Sequence, residues 1–184
     1  LFEAYVGAAG CMGVLEELFA AGVEKLVLFG TCGVLDRSIG DCGIIIPTVA
    51  LRDEGASFHY APPSDEIEVN PKYREEFIEI LNHHQCTYTL GKVWTTDAFY
   101  RETAEKMERR KAAGCVCVDM ECSAVAALAR FRGKDVFHFF HASDNLDGGE
   151  WEAWSLSQDA NITGKDKAAL LALELAARIA ERED

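Results

Sequence analysis

Apolar runs and polar segments alternate along the chain with two different periods. Short runs rich in β-branched and aromatic residues predict buried strands, at residues 1–7, 24–29, 42–50, 91–96, 114–118 and 135–142. Segments with apolar residues three and four positions apart predict helices, at residues 11–21, 71–83, 100–112, 122–132 and 165–182. Residues 61–71 read as a loop or an edge segment, and residues 146–163 as a second irregular stretch.

The alternation of buried strands with helices predicts the fold class. Strands buried on both faces read as continuous apolar runs, and they occur in sheets that helices cover on both sides. We therefore predict an α/β fold of three α/β/α layers around a central mixed, largely parallel twisted sheet. Because the first strand-like segment has no polar lead-in, we expect residues 1–184 to form a single domain that lacks its first elements.

The charge balance narrows the classes of partner. The chain has 18 Lys and Arg against 31 Asp and Glu, which gives a formal net charge of −13. Phosphate backbones and anionic lipids repel such a surface, so neither nucleic acid nor a membrane is an expected partner. No stretch reaches the roughly 20 apolar residues of a membrane span, and the opening residues lack the basic region of a signal peptide.

Seven cysteines lie mostly among apolar or small residues: Cys11, Cys32, Cys42, Cys86, Cys115, Cys117 and Cys122. Their number is odd and no pair has CxxC spacing, which argues against a disulfide framework and a zinc site. Reduced, buried thiols in a cytoplasmic protein fit this pattern better. His138 and His141 have no acidic or cysteine partner at metal-binding spacing, so no metal or organic cofactor is expected.

Two carboxylates lie where a predicted strand runs into a helix, in VCVDMECSAVAA at residues 116–127. In open α/β sheets ligands bind at the carboxyl ends of the strands, where an unsatisfied buried carboxylate is expensive. Glu121 is therefore a candidate ligand-binding residue. The alternative is that Asp119 and Glu121 cap the helix that follows, because a helix N-terminus favours negative charge.

A glycine-rich turn is predicted after the second strand, in Gly30-Thr31-Cys32-Gly33. Its glycines let a ligand approach the backbone closely, and the Thr31 hydroxyl and neighbouring amides can donate to an anion. The alternative is a structural strand-to-loop turn without a ligand. The segment is neither a Walker loop nor a dinucleotide fingerprint, because it has no following Gly-Lys-Ser/Thr and no GxGxxG.

Two further strand ends carry candidate side chains. In WTTDAFYR, at residues 94–101, Phe99 or Tyr100 can stack on a flat heterocycle, although aromatics at such junctions also pack into cores. In Ser143-Asp144-Asn145, the carboxyl of Asp144 is a candidate general acid. The alternative for Asp144 is an Asx-turn that opens the loop SDNLDGG.

Taken together, these segments resemble one family, the purine nucleoside and uridine phosphorylases with their nucleosidase relatives. The resemblance covers the chain from Gly7 to about Trp151, and several motifs in the right order are more specific than any one of them. The motifs are GVEKLVLFGTCGVL at 22–35, RDEGASFHYAPPS at 52–64, TTDAFYRE at 95–102, VDMECSAVAALA at 118–129 and ASDNL at 142–146. The second motif is most similar to the uridine phosphorylase branch, whereas the Ser-Asp pair is similar to the purine branch.

The resemblance implies a role for each candidate residue. Gly30 and Thr31 would contact phosphate, Phe99 and Ser143 would hold the base, Met120 and Glu121 would bind the ribose hydroxyls, and Asp144 would protonate or hydrogen-bond the departing purine. Glycosidic cleavage passes through an oxocarbenium-like sugar, so charge on the base, the sugar and the attacking anion must be stabilised.

The sequence also departs from the family pattern. Leu28 stands where the phosphorylases have an arginine, two residues before the glycine of the GTCG-like motif. Their other phosphate ligands are absent from this sequence, and Arg52 or Arg101 are the candidates to compensate. The TTDAFYRE motif does not continue into the glutamine and arginine pair by which uridine phosphorylases read a pyrimidine, so a purine is the expected base.

Three functions from different classes stay open. The first is a nucleoside phosphorylase, a pentosyltransferase that uses inorganic phosphate as co-substrate and releases a free base and (deoxy)ribose 1-phosphate. The second is a nucleosidase that uses water instead, which fits Leu28 better. The third is a nucleoside-binding or inactive paralogue, because a fold does not prove an activity. The resemblance also implies a homo-oligomer built on dimers, up to a hexamer, with His59 as a candidate contact residue.

Overall fold

The computed structural model describes residues 1–148, 150–156 and 160–181. Its strands are β1 (Lys25–Val34), β2 (Ile44–Asp53), β3 (Glu66–Glu68), β4 (Tyr88–Thr96), β5 (Cys115–Asp119) and β6 (Asp135–Asn145). Its α-helices are α1 (Ala8–Ala20), α2 (Arg74–His83), α3 (Ala104–Ala112), α4 (Cys122–Arg132) and α5 (Ile162–Ala180). Two short 3-10 turns, Ala56–His59 and Phe99–Arg101, precede β3 and α3.

The six strands form one mixed sheet in the order β3-β2-β4-β5-β1-β6, and a further pairing between β2 and β6 closes it on itself. The long pairings are parallel and join β1 to β6, β2 to β4 and β4 to β5. The antiparallel pairings, β1 with β5, β2 with β3 and β2 with β6, are each only two or three residue pairs long. The predicted mixed, largely parallel sheet is confirmed, and its closure is an additional feature.

Helices cover both faces of the sheet. Leu26 of β1 packs with α1 and α4, whereas its neighbour Val27 packs against the apolar cluster formed with α2 and α5. Val136 and Phe137 of β6 divide between the same two clusters. Because successive side chains of a strand point to opposite faces, the two helix pairs lie on opposite sides of the sheet. This arrangement confirms the predicted three-layer fold.

Several strands extend beyond their predicted bounds, including β2, which ends at Asp53, and β4, which begins at Tyr88. β1 continues through Gly30-Thr31-Cys32-Gly33 to Val34, and β6 continues to Asn145. The glycine-rich segment is therefore not a strand-to-loop turn but part of β1, hydrogen-bonded to β6 with a register shift between Cys32 and Gly33. A parallel partner extends the strand where glycine composition alone predicts a turn.

Other boundaries also differ from the sequence-based expectation. Residues 1–7 are not a strand; Phe2 and Ala4 instead pack against the apolar cluster of α1 and α4. Helix α3 starts later than predicted, because the Thr103 hydroxyl accepts the backbone N–H of Lys106 and so caps the helix. The edge segment predicted within residues 61–71 contains β3, and Arg182 lies outside the described residues.

The seven cysteines are free thiols, and six of them are buried. Burial, with the nearby charges of Glu121 and Asp119, raises the pKa of Cys11 to about 12. Burial also raises the pKa of Cys115 to about 11. These thiols are consequently protonated at neutral pH.

None of the helices in the described part of the chain is both long enough and apolar enough to span a lipid bilayer.

The packing of α2 and α5 against the sheet can be tested at Phe77 of α2. Its ring is fully buried, with centroids 5.1 Å from Phe137 and 4.5 Å from Phe139. We expect Phe77→Ala to lower the free energy of unfolding by about 3–5 kcal/mol, because the cavity is lined by rigid strand residues. Urea denaturation measures this loss. Leu170→Ala on the exposed side of α5 is the control and should change it by less than about 0.5 kcal/mol.

Candidate functional site

Four strands bring their carboxyl ends together at one edge of the sheet. β1 and β5 meet only there, where Gly33 pairs with Val118. Thr95 at the end of β4 pairs with Asp119 of β5, and Gly33 pairs with Asp144 of β6. The sequence-predicted site residues lie on these strands or directly after them, so the topology places them along the edge where α/β proteins bind ligands.

Asp119 is a buried carboxyl that organises the junction between β5 and α4. It accepts the backbone N–H groups of Glu121 at 2.8 Å and Cys122 at 2.6 Å, and the Thr95 hydroxyl at 2.7 Å. Burial, reinforced by the charge of Glu121, nevertheless raises the pKa of Asp119 to about 7. The helix-capping interpretation therefore applies to Asp119.

Glu121 is the N-cap residue of α4, but its carboxylate makes no hydrogen bond to that helix. One carboxylate oxygen instead accepts the backbone N–H of Gly7, directly before α1. Burial raises the pKa of Glu121, and Met120 beside it is half-buried. The capping interpretation thus does not apply to Glu121, and its role in binding ribose with Met120 stays a prediction.

A second buried carboxyl, Glu54, was not singled out from the sequence. It accepts the Ser123 hydroxyl at 2.9 Å and the backbone N–H of Ser57 at 2.8 Å. The backbone N–H of Ser123 donates to the Thr95 hydroxyl, which links Glu54 to the Asp119 network. The only sequence signal was an acidic pair in the RDEGAS segment, and that pair does not show which member is buried.

Asp144 lies on β6 and is half-buried, with a donor on each carboxylate oxygen. Oδ1 accepts the Ser143 hydroxyl at 2.9 Å, and Oδ2 accepts the Trp151 indole N–H at 2.9 Å. The Asx-turn interpretation of Asp144 is wrong, because Asn145 rather than Asp144 accepts the backbone N–H two residues later, that of Asp147. Ser143 is itself buried and fixes the orientation of the Asp144 carboxyl.

Phe99 and Tyr100 form an exposed aromatic pair on the 3-10 turn after β4. Their exposed fractions are 48% and 90%, and their ring centroids are 4.0 Å apart. Rings this open are not core residues, so the core-packing alternative does not apply to them. An exposed aromatic face at this edge has the geometry that base stacking needs, and the base-binding role of Phe99 stays a prediction.

The predicted phosphate site lies within β1. Thr31 is exposed. A Cβ atom built on Gly30 would have no heavy atom within 4 Å, apart from those of its neighbours in the chain. Leu28 packs against the apolar cluster of α1 and α4. The position that carries an arginine in the phosphorylases is thus part of the hydrophobic packing in this chain.

Arg52 is held inside its own loop. Its guanidinium donates to the Ser57 hydroxyl at 2.8 Å and to the Pro62 carbonyl at 2.8 Å, and it stacks on Phe58 at 4.0 Å. These contacts tie Arg52 to its own loop, whereas its Nη2 is buried without a hydrogen-bond partner among the described residues, so compensation for Leu28 stays a prediction. The other candidate, Arg101, is exposed at the aromatic turn.

Glu102 is an acidic residue of the site that the sequence argument did not use. It follows the aromatic turn, and its side chain is half-buried. Burial and the negative charge of Asp144 raise the pKa of Glu102 to about 7, against the opposing charge of Lys106. The sequence signal was an acid directly before the helix-capping residue Thr103, which by itself reads as an ordinary helix start.

A cavity of about 130 Å³ lies elsewhere, between α4, the start of β6 and the segment after β3. His138, Asn70 and Arg130 are among its lining residues, and none of the candidate site residues is. His138 is fully buried, and burial lowers its pKa to about 3. This cavity is at the amino end of β6, opposite the edge that carries the candidate site.

The candidate carboxylates, an exposed aromatic ring and a glycine-bearing strand thus lie at the carboxyl edge of a mixed α/β sheet, where open α/β folds bind their ligands. The family model of the phosphorylase superfamily matches residues 4–178. The chain is 32% identical over 165 residues to a guanosine phosphorylase of Halorubrum lacusprofundi, which covers 88% of the chain and 67% of that relative. The chain therefore belongs to the phosphorylase superfamily.

Two solved structures and a further sequence relative agree with this assignment. A uridine phosphorylase from Vibrio fischeri aligns with a TM-score of 0.81 at 25% identity, covering 95% of this chain and 72% of its own. A purine nucleoside phosphorylase from Toxoplasma gondii aligns with a TM-score of 0.82 at 22% identity, covering 95% and 71%, and supports the fold. A DeoD-type purine nucleoside phosphorylase of Bacillus cereus is 27% identical over 143 residues, and the match spans 74% of this chain and 59% of that relative's length.

The close packing around Gly33 can be tested by substitution. A Cβ atom at Gly33 would lie 2.2 Å from Leu146 Cδ1 and 3.2 Å from an Asp144 oxygen, whereas one at Gly30 meets nothing within 4 Å. We expect Gly33→Ala to destabilise the protein by about 1–3 kcal/mol through overpacking. Gly30→Ala, on the same strand, should cost less than about 0.5 kcal/mol. Urea unfolding of both variants measures the contrast, and equal stabilities would contradict the close packing at Gly33.

Proposed function

We propose that this protein is a nucleoside phosphorylase that cleaves the N-glycosidic bond of a purine nucleoside with phosphate, giving a free base and (deoxy)ribose 1-phosphate. The observation that carries the proposal is the alignment of Asp144, Glu121 and exposed Phe99 along the carboxyl edge of one sheet, in a chain of the phosphorylase superfamily. The similarity to a guanosine phosphorylase supports a purine as the base.

Each residue has a role that its surroundings support. Phe99 offers an open ring face for the base. The carboxylate of Glu121 makes no hydrogen bond to α4, so it can accept hydrogen bonds from ribose hydroxyls. Met120 would pack against the sugar. Gly30 and Thr31 lie on a stretch of β1 with open space beside Gly30. A phosphate placed there would accept hydrogen bonds from backbone amides and from the Thr31 hydroxyl.

Asp144 is the proposed general acid. As the bond to the base lengthens, negative charge develops on the purine ring and positive charge on the sugar. A proton or hydrogen bond from Asp144 would stabilise the departing base, while the Glu121 carboxylate would favour the cationic sugar. Donors from Ser143 and Trp151 fix the Asp144 carboxyl and so reduce the motion needed in the reaction.

A nucleosidase is the second candidate, and Leu28 favours it. The side chain at this position packs in an apolar cluster, and Arg52 is bound within its own loop. Leu28 carries no charge, and the hydrogen bonds of Arg52 go to Ser57, Pro62 and Ser64 of its own loop. Water needs no positive charge to attack the sugar, so hydrolysis fits these two positions without further assumptions.

We also propose that the protein is a cytoplasmic homo-oligomer built on dimers. The seven free thiols support a reducing compartment. Phe58 and Phe131 are large apolar side chains with 43% and 58% exposed fractions, and His59 beside Phe58 is exposed. Exposed apolar groups of this size are typical of subunit contacts, so His59 stays a candidate contact residue.

The proposal is tested by product chromatography after incubating the purified protein with a panel of nucleosides, with and without phosphate. We expect phosphate-dependent release of purine bases together with a sugar 1-phosphate. Release that is equal in the two conditions would establish the nucleosidase instead. Nucleoside binding without release would identify a binding protein, and neither binding nor release would contradict the whole assignment.

Asp144→Asn tests the general acid. The amide keeps the size of the side chain but loses its acid function, so we expect kcat for purine release to fall roughly 100- to 10,000-fold. Asp166→Asn, on the exposed face of α5, is the matched control and should leave kcat unchanged. An unaltered kcat in the Asp144 variant would remove this residue from the chemical step.

A further inference from the structure

One buried histidine has a ring nitrogen without a partner. His138 of β6 is 3% exposed, and its Nδ1 makes no hydrogen bond within the part of the chain that the structure describes. Burial lowers the pKa of His138 to about 3, so its imidazole is neutral at pH 7. A buried polar atom without a partner is destabilising, unless a bound molecule supplies the partner.

The neighbours of His138 hold its ring in place without satisfying that nitrogen. The backbone N–H of His138 donates to Asn70 Oδ1 at 2.7 Å. Asn70 Nδ2 donates to the His138 carbonyl at 2.7 Å and to the Pro47 carbonyl at 3.1 Å, which uses both N–H groups of the amide. The imidazole also packs on Phe140, with ring centroids 4.4 Å apart. The ring is thus fixed, and Asn70 has no N–H left to donate to it.

His138 lines the cavity of about 130 Å³ between α4, the start of β6 and the segment after β3. A cavity of roughly 150 Å³ with apolar walls accommodates one benzene molecule, so this cavity has the size of a single six-membered ring. Its walls are largely apolar and include Val69, Val125, Ala126, Ala129 and Val136.

The charged residues of the cavity lining are exposed or half-buried, which places them at its mouth. They are the cations Lys72, Arg130 and Lys134 and the anions Glu68 and Asp135. Lys72 pairs with Asp135 at 2.8 Å. Lys134 pairs with an acid outside the lining, Glu24. Because positive and negative charges nearly cancel there, a charged ligand gains little net attraction at the mouth.

A second histidine of β6 shows what distinguishes His138. His141 is also buried, and its Nδ1 likewise has no hydrogen-bond partner among the described residues. His141 does not line this cavity, whereas His138 does. The combination of an unsatisfied ring nitrogen with an adjacent space of ring size therefore singles out His138.

We infer that this cavity is a binding site, separate from the candidate site at the carboxyl edge, for an uncharged one-ring compound that carries a hydroxyl group. The apolar walls enclose the ring, and the hydroxyl forms a hydrogen bond with the imidazole of His138. A hydroxyl both donates and accepts, so it suits either tautomer of a neutral imidazole. The balanced charge at the mouth favours an uncharged compound over a carboxylate or an amine.

Phenol, which is uncharged at pH 7, is the probe of this class. We expect phenol to shift one of the five histidine NMR signals of the unaltered protein saturably, with a dissociation constant on the order of 1 mM. That signal should be the one missing from His138→Phe. Benzoate and benzylamine should bind roughly 10-fold more weakly, because each carries a charge into an apolar cavity. No saturable shift would mean that the cavity holds water only and would overturn the inference.

His138→Phe separates the hydrogen bond from the shape of the cavity. Phenylalanine keeps a ring of similar size but has no nitrogen, and toluene resembles phenol without its hydroxyl. We expect the ratio of phenol to toluene affinity, measured by calorimetry, to fall about 2- to 10-fold in this variant. Taking a ratio cancels changes in cavity shape that affect both compounds. His141→Phe, on the same strand, is the matched control and should leave the ratio unchanged. The same ratio in all three proteins would contradict recognition by His138.

A second variant locates the bound phenol and covers the case in which His138→Phe does not fold. Ala129→Leu adds carbon atoms to the cavity wall from α4, so we expect phenol affinity to fall at least roughly 10-fold. Ala20→Leu, at an exposed position of α1, is its control. Undiminished phenol binding by folded Ala129→Leu would place the ligand elsewhere and overturn the inference. These measurements need no nucleoside, so they are independent of the proposed function.

Discussion

The fold depends on how it accommodates several carboxyls at one sheet edge. Glu54, Glu102, Asp119, Glu121 and Asp144 all lose water there, and burial raises the pKa of Glu102, Asp119 and Glu121. Two of the acids, Glu54 and Asp119, are buried, and both accept hydrogen bonds from backbone N–H groups and hydroxyls of neighbouring segments. The other three are half-buried. This division separates buried acids that link neighbouring segments from acids that keep part of their surface open to solvent.

Strand pairing produces the division. The carboxyl end of β1 contacts both β5 and β6, and the register shift after Cys32 sets Gly33 opposite Asp144. Since Gly33 has no side chain, Leu146 occupies the space that a Cβ atom would fill, and the Asp144 carboxyl packs beside it. Closure of the sheet through β2 and β6 fixes these ends relative to each other. Gly30, Thr31 and Asp144 therefore lie on paired strands, which limits their motion, whereas Phe99 lies on the turn after β4.

Local patterns predicted much of this architecture. The small-residue helix after Asp119 matches α4, because capping and apolar spacing act within a few residues. The same patterns misjudged Gly30-Thr31-Cys32-Gly33, where pairing with β6 overrides glycine's preference for a turn, and residues 1–7, which have strand composition without a strand beside them. The sequence could not show whether Asp119 or Glu121 caps α4. The hydrogen bonds resolve this question: Asp119 accepts the backbone N–H of Cys122, whereas Glu121 accepts that of Gly7.

By itself, the sequence determined the layered α/β class, the acidic character of the chain with its free cysteines, and the strand ends that carry the candidate residues. These properties follow from composition and from periods of two and 3.6 residues, which are local. Only the tertiary structure decided which acids are satisfied, that Arg52 is bound within its loop, that Leu28 belongs to an apolar cluster, and that Glu102 is half-buried near Asp144. Those features depend on contacts between residues far apart in the chain, and burial and hydrogen bonding exist only once the strands have paired.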